Sequence, residues 1–288
     1  MVVFRASGRL NLAQGELATL GTYVSLVLSS PATPALAGTA LVARWLPGTP
    51  WPLWVSVPAA MLVMAAFAAL VERYVVSRIP ETSARAAVSV SIGLLLLING
   101  LDKRIWKPVS RGYESLFPSD PGDYFSVAGA RLRYESLGTW ATLLVVLGAL
   151  WLVLRYTRIG LAFRAVSSSR VLAGLMGVRS RRVLTGGWAL AAALGTLVGC
   201  LLASRLILDP DMMIRLLVFS FAAATIGGLT SLGGALVGGL IVGLGQTMLS
   251  GYVGLIGGPL SLPAVLLGMI VMLYLRPQGL FGTKAEDS

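Results

Sequence analysis

Apolar stretches about as long as a membrane-crossing helix recur along the whole chain, separated by short polar segments. A helix needs about 20 mostly apolar residues to cross the hydrocarbon core of a bilayer. The pattern predicts crossings at 10–30, 51–72, 86–104, 137–154, 183–207, 214–232, 234–250 and 259–275. We therefore expect an all-α, polytopic transmembrane helical bundle of about eight spans, folded as a single domain over residues 1–288. The sixth and seventh segments are separated only by a glycine-rich turn, so they form either two crossings or one re-entrant hairpin.

The composition agrees with a membrane location. Of the 288 residues, 56% are hydrophobic and 12% are charged, whereas a soluble domain carries about 25% charged residues. The net charge of +11 is better explained by the excess of basic residues in cytoplasmic loops of membrane proteins than by nucleic-acid binding. We therefore expect the lipid bilayer to surround the chain, and we expect no nucleic-acid partner.

An arginine-rich segment sets the predicted orientation. Seven arginines and no acidic residue lie between residues 155 and 182, which places this loop in the cytoplasm. Counting crossings outward puts both termini in the cytoplasm and the loop at about 105–136 outside. Within the loop at about 157–183, residues from about 161 to 176 favour helix, with Gly177 as a helix C-cap. The residues alone leave two interpretations open: a helix that packs against a partner protein, or a loop that only sets topology.

Several kinds of catalytic chemistry are excluded by residues that the chain lacks. It has no histidine and a single cysteine, Cys200, which excludes the usual zinc sites and the common Ser-His and Cys-His pairs. None of the three lysines follows a glycine, so the chain has no P-loop for nucleotide phosphates. We expect a transport protein rather than an enzyme, with no cofactor of its own and with any ATP bound by another subunit.

The first predicted span is the most polar, and its polar residues are candidates for a transport pathway. Glu16 is the only acidic residue expected well inside a span, and a charge inside the bilayer is costly unless it has a function. The candidate pathway residues are Asn11, Gln14 and Glu16. The alternative is that Glu16 lies near the cytoplasmic interface or makes a structural hydrogen bond. No close pair of intramembrane acids is expected, which argues against a proton-coupled carrier.

Glycines are concentrated between residues 227 and 245. Glycines four residues apart lie on one face of a helix, where they let two backbones approach closely. Helix packing is the simplest interpretation, and the alternative is that close packing shapes a pathway or a subunit interface. The predicted packing positions are Gly227, Gly228, Gly234, Gly238, Gly239 and Gly243.

Four segments, taken in order, resemble the permease subunits of the bacterial branched-chain amino acid ABC importers, and in particular their shorter, LivH type. The segments are GRLNLAQGELATLGTY at 8–23, RIGLAFRA at 158–165 with Ala173 and Gly177 further on, FAAATIGGLTSLGGALVGGLIVG at 221–243, and RPQGLFG at 276–282. The resemblance covers essentially the whole chain. Three positions depart from the family pattern: Gln14 stands in place of a histidine, and Ser168 and Ser169 stand in place of an acidic pair.

The resemblance implies the architecture of an ABC importer permease. Such a permease works with a second permease subunit, two cytoplasmic ATP-binding subunits and an extracytoplasmic substrate-binding protein. The resemblance also implies that the 157–183 loop holds the helix that docks on the ATPase, with coupling residues Arg158, Gly160, Arg164, Ala173 and Gly177. The implied cargo is a branched-chain or related amino acid. A urea or short-amide importer of the same superfamily is the alternative, followed by an ion-coupled secondary carrier.

Overall fold

A computed structural model describes residues 11–30, 51–78, 84–120, 122, 124–127, 130–228, 232–252, 261–276 and 279–281. These residues form ten α-helices: α1 Gln14–Ser29, α2 Leu53–Tyr74, α3 Ala84–Trp106, α4 Tyr134–Tyr156, α5 Arg158–Ser168, α6 Arg170–Leu175, α7 Ser180–Leu206, α8 Met212–Gly227, α9 Leu232–Tyr252 and α10 Ser261–Leu275. A 3-10 turn at Val76–Arg78 follows α2. The strands β1 (Tyr124–Val127) and β2 (Ala130–Arg133) pair as a short antiparallel hairpin that was not predicted.

A helix occupies each of the eight predicted spans, which confirms the all-α, polytopic fold. Among the described residues, three segments are long and apolar enough to cross a bilayer by length and composition alone: Leu53–Arg78, Tyr134–Tyr156 and Ser180–Leu206. Shorter apolar helices are found at Met212–Gly227, Gly233–Met248 and Pro263–Leu275. The full number of crossings stays a prediction.

The segment predicted to be helical, residues 161–176, is helical but is divided by a break into two helices, α5 and α6. The break falls at Ser169, whose backbone is extended with φ −156° and ψ 120°. Its side-chain oxygen accepts a hydrogen bond from the backbone N–H of Leu172 at 3.3 Å. Serine is one of the best N-cap residues because its hydroxyl satisfies such a free N–H group. Ser169 therefore starts a new helix instead of continuing the old one.

The chain divides into two compact units, residues 2–213 and 214–288, and the interpretation of the whole as one permease domain stays a prediction. In the first unit, α1 packs against α2 and α7. Apolar side chains from α1, α2, α3 and α7 form its core: Leu17, Met64, Ala68, Ile98, Trp188 and Ala192, each at most 5% exposed.

Small residues let α1 and α7 pack closely against each other. A Cβ atom added to Gly21 of α1 would overlap the side chain of Thr196, and one added to Gly199 of α7 would overlap that of Thr22. Lipid gives apolar helices no hydrophobic reason to associate, so close packing of this kind contributes to holding them together. As a result α1, the most polar of the predicted spans, lies in the interior of its unit.

In the second unit, α8, α9 and α10 share a small apolar core. It consists of Ala222, Ala223, Val242 and Val265, with Phe219, Ile226 and Met269 packed against it. This unit also contains the glycine-rich stretch and the described part of the closing segment.

Candidate functional site

Helix α1 carries a line of polar side chains that are buried inside the first unit. A helix surrounded by lipid turns its apolar side chains outward, so polar residues on such a helix face the protein. Glu16 is 1% exposed, and the polar residues that follow it on the same helix are as deeply buried: Thr19, Thr22, Tyr23 and Ser25, each 0% exposed. We call this line, from Glu16 to Ser25, the polar track.

Glu16 is held by an amide from a second helix. The Nδ2 group of Asn99, in α3, donates to Glu16 Oε2 at 3.2 Å. The same group donates to Pro210 O at 3.2 Å and to Asp211 Oδ1 at 3.1 Å. Asp211 also forms an ion pair with Lys103 at 2.8 Å. The cluster thus joins α1, α3 and the segment after α7, and sequence reasoning included only Glu16 among its members.

Asn11 and Gln14 lie together, on the α7 side of α1. Asn11 Nδ2 donates to Gln14 Oε1 at 3.3 Å, and Gln14 Nε2 donates to the backbone oxygen of Ala191 at 2.7 Å. These bonds tie the start of α1 to the middle of α7. The structure therefore places Asn11 and Gln14 beside a helix contact, whereas Glu16 belongs to the Asn99 cluster.

Asp102 is a second buried acid in the neighbourhood of Glu16. It is 0% exposed, and it interacts electrostatically with Glu16. Sequence reasoning missed Asp102 because Lys103 and Arg104 follow it directly, a pattern typical of a helix end at the membrane surface.

Asp102 and three side chains near it have buried polar atoms without a hydrogen-bond partner among the described residues. The atoms are Tyr23 OH, both carboxylate oxygens of Asp102, Trp106 Nε1 and Arg111 Nε. The Tyr23 and Trp106 rings stack with centroids 4.7 Å apart, and a terminal guanidinium nitrogen of Arg111 donates to Trp106 O at 2.8 Å. Asp102 and Arg111 both act electrostatically on the Tyr23 hydroxyl. We call these four residues the unpaired polar patch.

A cavity of about 790 Å³ lies on the first unit, and Tyr113 is one of its lining residues. The cavity is lined by acidic, basic and hydroxyl side chains, including Glu114, Glu135, Arg133, Arg205 and Ser204. Tyr113 is only 6% exposed, and its hydroxyl lies 2.8 Å from Ser25 Oγ, at the end of the polar track. Burial raises the pKa of Tyr113 above its ordinary value, so the phenol stays neutral. Tyr113 therefore stands between the cavity and the polar track.

The arginine-rich segment forms a compact helix pair after α4. The Thr157 side chain accepts from the backbone N–H of Gly160 at 3.2 Å and begins α5. A Cβ atom on Gly160 would overlap the backbone of Leu154, so only glycine lets α5 fold back on the end of α4. Arg164 donates to the backbone oxygen of Arg155 at 3.3 Å, and the side chain of Arg158 is exposed.

Helix α6 ends in a left-handed turn. Gly177 has φ +81°, and the backbone N–H of Val178 reaches back to Ala173 O at 2.9 Å. This is the C-terminal turn that glycine favours. The C-cap itself is Met176, and Gly177 is the left-handed residue that follows it. Ala173 is 3% exposed and faces the protein.

Four large apolar side chains on this turn are exposed to solvent: Val171 at 75%, Leu172 at 62%, Leu175 at 81% and Met176 at 85%. We call them the α6 apolar face.

The glycine-rich stretch shows two kinds of position. A Cβ atom on Gly227 would overlap Gly234, and one on Gly238 would overlap the backbone oxygen of Ala223, so α8 and α9 touch at these points. Gly239 and Gly243 have no heavy atom within 4 Å of such a Cβ. They therefore make no close contact among the described residues.

The closing segment docks on the end of α8. Gly228 has φ +100° and Gly279 has φ +75°, and a Cβ atom on Gly279 would lie 2.6 Å from Gly228 N. Leu280 N–H donates to Ile226 O at 2.9 Å, and Phe281 N–H donates to Gly227 O at 3.2 Å. Two segments some fifty positions apart in the sequence thus form one local structure.

Comparison with known proteins gives the family. The family described as "Branched-chain amino acid transport system / permease component" matches residues 1–275. The chain belongs to this family. Among its relatives are the high-affinity branched-chain amino acid permease LivH of Escherichia coli K12, 24% identical over 98% of this chain and 88% of the relative. BraD of Pseudomonas aeruginosa is 22% identical over 98% of this chain and 88% of the relative. A probable LivH of Methanocaldococcus jannaschii is 26% identical over 94% of this chain and 82% of the relative. No solved structure matches the chain.

As a branched-chain permease homologue, the chain is a multi-pass membrane protein and a transport subunit rather than an enzyme. The four segments that resemble this permease family have distinct positions in the structure. The described part of the opening segment contains most of the polar track of α1, the second segment lies in α5 and α6, and the described parts of the last two meet at the end of α8.

Proposed function

We propose that the chain is a membrane permease subunit of an ATP-driven importer for branched-chain or related amino acids in the cytoplasmic membrane. It would pair with a second permease subunit, two cytoplasmic ATP-binding subunits and an extracytoplasmic substrate-binding protein. The proposed cargo class follows the names of the relatives. The observation that carries the ATP-driven part of the proposal is the α6 apolar face.

The α6 apolar face has the properties of a docking surface. Leu175 and Met176 are 81% and 85% exposed, and the surrounding segment is rich in arginine and lacks acidic residues. Elsewhere on a membrane protein an exposed apolar side chain is covered by lipid, but basic residues favour the aqueous cytoplasmic side. An apolar turn in that position is favourable only when a partner covers it. We assign the partner as an ATP-binding subunit.

The proposed coupling residues support this turn in different ways. Gly160 sets the position of α5, Arg164 binds the end of α4, and Ala173 and Gly177 shape α6. Arg158 is exposed at the start of α5, where it can contact a partner. The proposal keeps the seven-arginine segment and both termini in the cytoplasm, and the 105–136 loop outside.

The polar track and its surroundings are the proposed pathway. The track gives a polar cargo hydrogen-bonding groups across a region that is otherwise apolar. Glu16, the first residue of the track, is a proposed pathway residue. Asn11 and Gln14, at the α1–α7 contact beside it, are proposed to belong to the pathway as well. The glycine positions of α8 and α9 are proposed to serve helix packing, through Gly227, Gly228, Gly234 and Gly238, with Gly239 and Gly243 left for contacts with a neighbouring subunit.

The test is uptake of labelled leucine by a transport-null host. The host expresses this chain with the neighbouring permease, the ATPases and the binding protein, and an ATPase-dead complex is the control. We expect ATP-dependent uptake that isoleucine and valine compete with and that urea does not affect. Uptake that persists in the ATPase-dead complex would contradict the proposal. So would urea competition without isoleucine competition, which would move the cargo assignment to urea or a short amide.

A variant pair tests the docking assignment. Met176→Glu puts a charge on the α6 apolar face and is expected to abolish co-purification of the ATPase. Ser167→Glu puts the same charge on an exposed position of α5 in the same loop and is expected to leave the complex intact. Equal ATPase recovery in the two variants would contradict docking at α6.

A further inference from the structure

We propose that the unpaired polar patch holds the ammonium and carboxylate groups of a free α-amino acid as it crosses the permease. This inference rests on the proposed function and adds to it the chemistry by which the pathway recognises its cargo. The patch consists of Tyr23, Asp102, Trp106 and Arg111.

The concentration of unpartnered atoms in one place is the first observation. Within the described residues, six buried side-chain polar atoms lack a hydrogen-bond partner, and five of them belong to the patch. Buried polar groups in proteins nearly always have partners, so each exception calls for an explanation. Scattered exceptions would suggest local imperfections of packing. Five atoms on four side chains that contact or act on one another indicate a binding function.

The types of group match the two ends of an amino acid. In its ionised form the carboxylate of Asp102 only accepts hydrogen bonds, whereas the indole N–H of Trp106 and the guanidinium of Arg111 only donate them. An ammonium group donates and a carboxylate accepts, so the cargo ammonium fits Asp102 and the cargo carboxylate fits Trp106 and Arg111. The Tyr23 hydroxyl can serve either end. A simple metal cation would leave the donors unused, and urea would carry no charge for either side.

The local charges favour the same ligand. Glu16 accepts from Asn99, and Asp211 is paired with Lys103. Among the described residues Asp102 has no hydrogen-bond donor, and it lies within electrostatic reach of Glu16. A cationic group beside Asp102 would favour the ionised form of both carboxyl groups. The ammonium of an amino acid supplies such a charge without a resident metal ion.

The cavity beside Tyr113 gives the patch a route of access. Arg111 lies two residues before Tyr113 on the same segment, which is bridged to Leu208 by backbone hydrogen bonds in both directions. The inner part of the patch is closed, since Tyr23 and Asp102 are 0% exposed and Trp106 is 6% exposed, whereas Arg111 is half-buried. Movement of the 111–113 segment would connect the cavity to the patch. The present structure thus corresponds to a closed state of the proposed site.

The experiment measures binding to the complete transporter complex in lipid nanodiscs by saturation-transfer NMR, without the binding protein. Three probes are compared: leucine, 4-methylpentanoate, which is leucine without its amino group, and 3-methylbutylamine, which is leucine without its carboxylate. Each charged hydrogen-bonded end is expected to contribute about tenfold or more to affinity. We therefore expect leucine to bind at least about tenfold more tightly than either analogue.

Two variants assign the ends of the ligand. Asp102→Asn is expected to weaken leucine and the amine about tenfold while leaving 4-methylpentanoate unchanged. Trp106→Phe keeps the ring and removes the N–H group, so it should weaken leucine and 4-methylpentanoate several-fold and leave the amine unchanged. Glu72→Gln is the control, because Glu72 is a buried acid, 2% exposed, that accepts from Thr185 outside the patch. It should change none of the three affinities.

The outcomes separate this inference from the proposed function. Equal weakening of all three probes by Asp102→Asn, or no weakening of any, would show that Asp102 is only structural and would overturn the inference. The same holds if the analogues bind the wild-type complex as tightly as leucine. In each of these cases ATP-dependent leucine uptake by the wild-type complex would leave the proposed function intact. Absence of that uptake would remove the proposed function, and the inference with it.

Discussion

Gly177 offers the sharpest test of how the coupling segment is built. Its φ of +81° lies in the left-handed region, where an L-residue with a Cβ atom pays about 1–2 kcal/mol. A Cβ atom at this position would meet no heavy atom within 4 Å, so the backbone conformation is the only intrinsic cost. That cost corresponds to about a 5–30-fold drop in the population of the formed turn. Gly177→Ala is therefore expected to reduce the uptake obtained per ATP hydrolysed.

A series of variants distinguishes an effect of the backbone conformation from an effect on the contact with the docking partner. Asparagine tolerates the left-handed conformation better than alanine, so Gly177→Asn should lose less coupling than Gly177→Ala. Gly174→Ala is the matched control, since Gly174 lies in α6 with no heavy atom within 4 Å of the added Cβ. In a helix that exchange is stabilising by about 0.5–1 kcal/mol, so coupling should be normal.

The assay is the ratio of leucine uptake to ATP hydrolysis in proteoliposomes that contain the complete complex. Normal coupling in Gly177→Ala, or equal losses in Gly177→Ala and Gly174→Ala, would refute the reasoning from the left-handed turn. A loss confined to Gly177→Trp would have a different meaning. It would show that bulk at the docking interface matters and that the shape of the turn does not.

Three further predictions concern stability, measured as thermal unfolding of the purified protein. Gly21→Ala pushes a Cβ atom into α7 and should cost about 1–3 kcal/mol, whereas Gly186→Ala, with open space on α7, should not destabilise. Gly238→Ala should cost a similar amount because it meets a backbone oxygen, and Gly239→Ala, which meets no atom, is its control. Asn99→Leu leaves a buried carboxylate without its donor and should cost about 1–3 kcal/mol, and an unchanged midpoint would contradict the assigned hydrogen bonds.

The helical spans could be read from the sequence because their signal is local. Twenty apolar residues identify a membrane helix without any knowledge of its neighbours, and each predicted span does contain a helix. Glu16 was recognisable for the same reason, since it is an acid in an apolar run. The helix end at Gly177 also has a local sequence signal, because glycine at a helix end carries its own conformational preference.

The partners of Glu16 could not be read in this way. Asn99 and Asp102 lie at the end of a span next to basic residues, and the same pattern occurs at ordinary helix ends at the membrane surface. Only the packing of α1 against α3 shows that they are buried. Arg111 belongs to a loop, and its place in the patch depends on a backbone bridge to Leu208. The break at Ser169 was missed because a serine is compatible with both the interior and the start of a helix.

Helix α7 gives the proposed coupling segment a physical connection to the proposed pathway. It begins at Ser180, three residues after Gly177, and runs for 27 residues without a break. Near its start Arg181 donates to the backbone oxygen of Arg73 at the end of α2, and further along α7 packs closely against α1 at Gly199. A continuous helix bends only gently over this length, so under the proposed function α7 is the element that would carry a displacement of α6 to α1. Because α1 carries the polar track, the proposed function gives the close α1–α7 packing a role in transport as well as in stability.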